Sequence, residues 1–368
     1  MISFKFGIAL LLFTFFVWEQ RKLGEISNII AGGDKNINKI KKYGKYPVIA
    51  NSINKNGIVG YYDNEYRVKA PAVTVTGRGE IGHAVARFQN FTPIVRLLAL
   101  SSKLDPIFLA NSINKIRFFN ESTGVPQLTK PQLSTYSIII PSVEEQNNIG
   151  KLILLIEKYI HLQQRKLKLL KVMKKALSQY MFCQEIEFVP ILRFNSFSDK
   201  WKYERLKNLI VKEIKGKAKA DMKGTKSTYI DTALLNGGSI TKVDSPTDTF
   251  HNDIIILWDG SQAGKIYHGF TGALGSTLKS YKPKYSGGFL YQYLKSKEPI
   301  IFLRYRTPNI PHVVKDFTEI FKINIPSVKE QEKISKTLNY LDQSILVETK
   351  KIGSIKKIKK FLLQNMFI

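Results

Sequence analysis

The sequence predicts two copies of a mixed α/β domain and two long helices that pair antiparallel as a coiled coil, the whole forming a pseudo-twofold internal repeat. Three observations carry this reading. A segment beginning Ile140-Pro141-Ser142-Val143 recurs from Ile325 at an offset of 185 and runs without a gap to Phe182 and Phe367, with 17 of 43 positions identical. Both segments open on a helix-start signal and continue with apolar residues about 3.5 apart. The stretch ahead of each is rich in β-branched runs set between glycines. Weaker echoes extend the repeat upstream: Trp18 and Leu23 against Trp201 and Leu206, TGRGEIG (76–82) against WDGSQAG (258–264), and Phe88 against Phe270.

Residues 1–17, MISFKFGIALLLFTFFV, carry Lys5 as their only charge and form an atypical apolar extension. They fall short of the roughly 20 residues a membrane helix needs, and no small-x-small cleavage site precedes Trp18. They read as a misassigned start or an apolar helix packed on the first domain. Residues 18–140 form the first domain, with strands expected at Ala72–Thr76 and Tyr136–Ile140. Residues 141–184 form the first spacer helix. Its start is marked by Pro141 and by Ser142-x-x-Glu145, a spacing that lets the serine and glutamate side chains satisfy orphaned backbone N–H groups. Its seam runs Ile149, Ile153, Ile156, Ile160, Gln163, Leu167, Leu170, Lys174, Leu177, Met181. Residues 190–325 form the second domain, with a strand expected at Ile254–Trp258. Residues 326–368 form the second spacer helix, opened by Ser327-x-x-Glu330 and carrying Ile334, Leu338, Leu341, Ile345, Glu348, Ile352, Ile355, Lys359, Leu362 and Met366. The polar exceptions fall at the same two places in both seams.

Chain path sets the direction of pairing. The second domain begins near Pro190, where the first helix ends, so the second helix meets the first only by running back along it. About 40 residues at a rise of about 1.5 Å make a rod of roughly 60 Å.

Composition narrows the partner. The chain has 57 Lys plus Arg against 29 Asp plus Glu, a formal net charge of +28 over 368 residues. Self-repulsion on that scale calls for a polyanion, and nucleic acid is the first to consider. The single Cys183 excludes intrachain disulfides and any CxxC zinc site, and favours a reducing compartment.

Enzymatic signals are poor. Gly260-Ser-Gln-Ala-Gly264-Lys265-Ile266 has one residue too few between its glycines for a phosphate-binding loop and lacks the Ser or Thr after the lysine. Asp342, Glu348 and Lys350 resemble a metal-nuclease set but lie in the predicted coiled coil, and the five histidines show no metal-ligand or triad spacing. No catalytic residue and no metal site is nominated.

Basic residues mixed with amides and aromatics are more informative. In the first domain the candidate DNA-binding residues are Lys41, Lys42, Lys45, Asn51, Lys55, Asn56, Tyr61, Arg67, Lys69 and Arg78. In the second they are Lys217, Lys219, Lys223, Lys226, Ser261, Gln262, Lys265, Lys282, Lys284, Arg304 and Arg306. Lysine and arginine neutralise phosphates, while arginine, asparagine and glutamine pair with base edges.

At the paired IPSVEEQ and IPSVKEQ helix starts, the WEQRKLGEI opening with its echo WKYERLKNLI, and the TGRGEIG turn, the sequence closely resembles the DNA-specificity (S) subunit of type I restriction-modification systems over residues 18–368. The resemblance implies that residues 18–140 and 190–325 are target-recognition domains, each reading one half of a split site in double-stranded DNA. It implies that the two helices space these domains and dock two methyltransferase (M) subunits, with restriction (R) subunits joining that core. It further implies a non-catalytic cytoplasmic subunit that binds no cofactor itself, with S-adenosylmethionine, ATP and Mg on the partners and no membrane. The departure is at the start: RFNSFSDKW, from Arg193, opens the second half, and residues 1–17 replace its counterpart in the first. Two other readings are a stand-alone DNA-modifying enzyme, for which no residues are found, and a membrane-tethered basic coiled-coil adaptor anchored by residues 1–17.

If the helices act as a ruler, inserting four residues, roughly 6 Å of helix, into both should lengthen the unread gap of the DNA site by one or two base pairs of about 3.4 Å each. The check is the motif recovered from each variant, and an unchanged gap would contradict the ruler.

Overall fold

The computed structural model describes residues 18–119, 124–184 and 187–367, so the apolar extension 1–17 lies outside the described residues. Contacts divide the chain into two compact units: the residues through Gln163 together with those from Lys351 onward, and Gln164–Lys350. Each long helix therefore contributes residues to both units.

In the first unit, Ala72–Thr76 is a central strand with every residue buried, and Leu97–Ser102 and Ala84–Arg87 flank it antiparallel. Ser27–Ala31 completes a four-stranded sheet beyond Leu97–Ser102. The alternating apolar and threonine residues of AVTVT suit burial on both faces, since β-branched side chains pack well on a pleated surface. A smaller sheet joins Tyr46–Ile49 to Ile58–Tyr62 antiparallel and to Thr92–Pro93 parallel. Glu19–Lys22 pairs with Ser137–Ile140 as a two-stranded ribbon at the mouth of the first long helix.

The second unit repeats this plan strand for strand. Ile254–Leu257, an all-buried IIIL run, is flanked by Leu278–Pro283 and Ile266–His268, with Ile210–Lys215 outside. Lys223–Ile230 pairs with Lys242–Val243 antiparallel and with Ala273–Leu274 parallel, and Lys202–Arg205 pairs with Lys322–Ile325. The internal repeat read from the sequence is thus a repeat of topology.

A short helix in each unit connects sheet to long helix. Pro106–Ile113 starts at Asp105, whose carboxylate accepts from the Ile107 and Phe108 N–H groups, with Pro106 in the first turn where no donor is missed. Its fully buried Phe108 packs with Ile107, Ile149, Ile153 and Phe367. The contact is close: a Cβ on Gly150 would lie 2.2 Å from an Asp105 carboxylate oxygen, so a larger residue there would displace the carboxylate that caps the short helix. In the second unit Gly287–Ser296, capped by Ser286, buries Phe289, Leu290, Tyr293 and Leu294 in the cluster that holds Ile334, Leu338, Met181 and Phe182.

The long helices span Val143–Tyr180 and Val328–Asn365. The nominated seam positions are buried or half-buried: Ile149, Ile153, Ile156, Ile160, Ile352, Ile355 and Leu362 in the first unit, and Leu167, Leu170, Leu177, Ile334, Leu338, Leu341 and Ile345 in the second. The helices run antiparallel within each unit. In the first, Glu157 bonds Lys359 at 2.6 Å while the earlier Ile149 and Ile153 cluster with Phe367. In the second, Lys166 meets Glu348 at 2.9 Å and Lys174 meets Asp342. Lys174 and Lys359 are equivalent, as are Glu157 and Asp342, so one lysine–carboxylate bond recurs in each unit and accounts for one of the two polar seam positions. Glu348, the other in the second seam, is 3% exposed and leaves its Oε1 without a partner. Asp342 and Glu348 are thereby committed to lysines.

The helix starts differ in one respect from the reciprocal cap read in the sequence. Ser142 and Ser327 do accept from the Glu145 and Glu330 N–H groups, at 3.2 and 3.4 Å. The glutamate arm is not made. Instead Gln146 and Gln331 donate to the Pro141 and Pro326 carbonyls, both at 2.9 Å, and Glu330 receives a forked pair of bonds from Arg193, both at 2.8 Å. Phe194 follows Arg193 into contact with the core cluster and lies under the Lys333 ammonium. The RFNSFSDKW motif is therefore a latch on the start of the second helix.

With Glu330 1% exposed and Arg193 its charge partner, removing Arg193 alone strands a buried carboxylate. Arg193→Met should cost about 3–5 kcal/mol in denaturant unfolding, and Arg193→Met with Glu330→Met much less, because the stranded charge is gone. A single variant as stable as the parent would contradict the latch.

Candidate nucleic-acid interface

The candidate residues of the first domain fall into two groups. One surrounds the TGRGEIG turn, which links Ala72–Thr76 to Ala84–Arg87. Hydrogen bonds hold this turn on several sides: Gly79 N–H to Pro126 O at 3.0 Å, Leu128 N–H to Gly77 O at 2.8 Å, and Gly82 N–H to Thr76 O at 2.8 Å. Asn51 adds a clamp. Its side-chain oxygen accepts from the Gly77 and Arg78 N–H groups at 2.6 and 3.3 Å, and its NH2 donates to Arg78 O at 2.8 Å. The amide oxygen and one of the two amide N–H donors are thus spent on positioning the turn.

Arg78 stands exposed on the clamped turn, and its guanidinium makes no hydrogen bond or ion pair among the described residues. With Asn54, Glu80 and Thr76 it lines an open cavity of about 400 Å³. Asn51, Ser52 and Ile53 also line it, and the chain continues into the loop Asn54–Gly57, where Lys55 and Asn56 both adopt left-handed backbone, φ 49° and 56°. Left-handed geometry costs a lysine roughly 1 kcal/mol or more. At the end of that hairpin away from the turn, opposite Ala72, Arg87 is bonded through Nε to Thr74 Oγ1 at 2.9 Å and lies half-buried, and burial pushes its guanidinium down to about 10. It remains charged at neutral pH and lines a small separate cavity with Ser52, Ile53 and Thr76.

The second group lies on and around the smaller sheet. Lys41 and Tyr61 exchange both backbone hydrogen bonds, at 3.0 and 2.9 Å, and the Lys41 ammonium is held by Asp63 at 2.6 Å. Lys42 and Lys45 lie over the Tyr43 and Tyr46 rings. Lys69 is exposed, and Arg67 closes over Gly33.

The second domain presents the corresponding turn with different side chains. Gly260 N–H bonds Pro311 O at 2.9 Å and Gly264 N–H bonds Leu257 O at 2.7 Å. Arg306 donates to Ser261 O at 3.1 Å, Lys265 bonds the Gln262 side chain at 2.7 Å, and Asp259 is paired with Lys215 at 2.6 Å. Lys217, Lys219, Lys223, Lys226 and Arg304 are exposed. Lys282 lies opposite Lys212, at the end of Leu278–Pro283 away from the turn. With a strand rise of about 3.3 Å per residue, Lys282 and Lys284 sit more than about 10 Å along the strand from Leu278, which faces Leu257.

The sequence alone did not single out Glu80, Asp259 or Arg193. No separate motif marks the first two, and Arg193 is paired with a residue 137 positions away. Cys183 is fully buried, and burial pushes its thiol up to about 12.

A duplicated α/β domain that ends each copy in a paired long helix and presents a cation-bearing turn defines a two-domain, helix-spaced class of protein. The family described as the type I restriction modification DNA specificity domain matches residues 17–172 and 198–357, and the chain belongs to that family. It is 34% identical to the MjaVIII type I specificity subunit of Methanocaldococcus jannaschii over 178 residues, 45% of this chain and 42% of that protein. It is 30% identical to a type I specificity subunit of Mycoplasma pneumoniae over 36% of this chain and 41% of that one. These alignments thus span less than half of each relative. In fold it is similar to the crystal structure of the type I restriction-modification S subunit from M. genitalium, with a TM-score of 0.71 and 17% identity over 98% of both chains. A second solved chain, from a study of type I assembly and conformational transition, gives a TM-score of 0.54 at 13% identity, covering 94% of this chain and 96% of that one.

Proposed function

We propose that this chain is the non-catalytic DNA-specificity subunit of a type I restriction-modification complex, and that its two domains each read one block of a split site in duplex DNA. The observation that carries the reading is the repeated frame: each unit holds a glycine-bearing turn between two strands by backbone hydrogen bonds and carries cationic side chains at it, Arg78 in the first and Lys265 and Arg306 in the second, on a chain of net charge +28. Phosphate neutralisation by those cations supplies affinity, and side chains on a fixed turn supply discrimination.

Two methyltransferase subunits dock on the long helices in this reading. Besides the seam, the helices expose Leu155, Leu169, Val172, Tyr340 and Phe361, all more than half accessible, which suits a covering partner. Restriction subunits join that assembly. S-adenosylmethionine, ATP and Mg belong to the partner subunits, and the complex works in the cytoplasm. No helix among the described residues is long and apolar enough to cross a membrane.

The test is co-expression of the tagged chain with its neighbouring methyltransferase, a pull-down, and single-molecule methylation mapping of genomic DNA. Methylated adenines in one split motif, lost when the chain is omitted, are the expected result. A complex that methylates without a motif, or no complex at all, would contradict the reading.

A further inference from the structure

The two turns can be superposed residue by residue through their strand registers. Thr76 pairs with Leu97 and Leu257 with Leu278, each at the turn end of the central strand. Arg78 then bridges to Gln127, and Asp259 to His312. Gly79 and Gly260 each bond the preceding proline carbonyl, of Pro126 and Pro311, and both have positive φ, 74° and 107°. Arg78 therefore corresponds to Asp259 and Glu80 to Ser261, with Gln262 an extra residue in the second copy. The next strand supplies a second correspondence. Ala31 pairs with Leu98 and Lys215 with Lys279, each one residue beyond the previous pair, so Ala31 corresponds to Lys215.

This equivalence explains why one site is open and the other closed on itself. In the second domain Lys215 neutralises Asp259. In the first, Ala31 stands at the lysine's place and offers no charge, and Arg78 is left without a partner among the described residues. Glu80 likewise makes no side-chain hydrogen bond or ion pair among the described residues, yet it lines the same cavity as Arg78.

We propose that Arg78 and Glu80 form a reading site for one guanine–cytosine base pair in the major groove, Arg78 donating to guanine N7 and O6 and Glu80 accepting from the cytosine amine. The inference rests on the DNA-reading function proposed above. A guanidinium alone would serve a phosphate as well as a base. A carboxylate at the same mouth repels a phosphate, whereas a guanine–cytosine pair presents acceptors and a donor side by side and is matched by a cation and an anion together. The clamp from Asn51 fixes the backbone from which Arg78 projects, which lowers the cost of ordering the reader. The second domain, with a neutralised Asp259 and a serine, reads different chemistry at the equivalent place.

The test is selection of bound duplexes from a randomised library by the full chain co-purified with its methyltransferase partner, for the parent, Arg78→Ala, Arg78→Lys and Glu80→Gln. The parent should select a motif with an invariant guanine–cytosine pair in one block. Arg78→Ala should lose discrimination at that pair by roughly tenfold to hundredfold and leave the other block unchanged. Arg78→Lys, which keeps the charge without the fork, should lose much of the same preference while the salt dependence stays near the parent's. Glu80→Gln should relax the same position only. A parent motif that Arg78→Ala leaves intact, with affinity lowered equally for all sequences and a salt slope smaller by about one, would overturn the inference and assign Arg78 to a phosphate. A parent that selects no motif would overturn the DNA-reading function itself and the inference with it.

Discussion

The structure depends on one packing arrangement: each domain core is completed by the end of the long helix that belongs to the other repeat. Phe367, at the end of the second helix, stacks on Phe108 of the first unit with ring centroids 5.5 Å apart, supported by Leu363 and Met366. Phe182, its equivalent at the end of the first helix, meets Phe289 and Tyr293 of the second unit edge-on at 5.7 and 5.2 Å. Removing a buried phenylalanine of this kind costs about 3–5 kcal/mol. The antiparallel course of the helices in each unit, the burial of their seams and the recurring lysine–carboxylate bond all follow from this exchange of helix ends.

The second principle is the separation of frame from display. The same backbone hydrogen bonds recur at the turn in both copies, from Gly79 and Gly260 to a proline carbonyl and from Gly82 and Gly264 to the end of the central strand. The exposed positions differ in charge: an arginine without a partner among the described residues in one copy, a neutralised aspartate in the other. A protein whose task is to discriminate sequences needs this arrangement, because a rigid frame holds the reader still while substitution changes what is read.

Much of the fold was legible because its signals are local. The 185-residue offset, the proline-serine starts and the 3.5-residue seam located both helices within a few residues of Val143–Tyr180 and Val328–Asn365. The signals that failed are non-local. At the second helix start the glutamate of the predicted cap is taken instead by Arg193, 137 residues away. Asn51 was a DNA-binding candidate by residue type, and nothing near it in sequence shows that its amide also bonds the backbone of Gly77 and Arg78, 26 and 27 residues on. The turns aligned one residue out of step in the sequence, since TGRGEIG matches WDGSQAG at its last glycine while the strand registers make Thr76 equivalent to Leu257 and Gln262 an insertion. Of the cationic candidates, the lysines were visible by composition, but which of them stand near a turn depends on strand register.

The central claim is that two equivalent domains each read their own block of DNA. The most direct measurement is methylation mapping of a chain in which residues 190–325 are exchanged for those of a related specificity subunit with a different motif. The account predicts that one block of the split motif changes to the donor's and the other stays as it was. A motif in which both blocks change, or neither does, would contradict it.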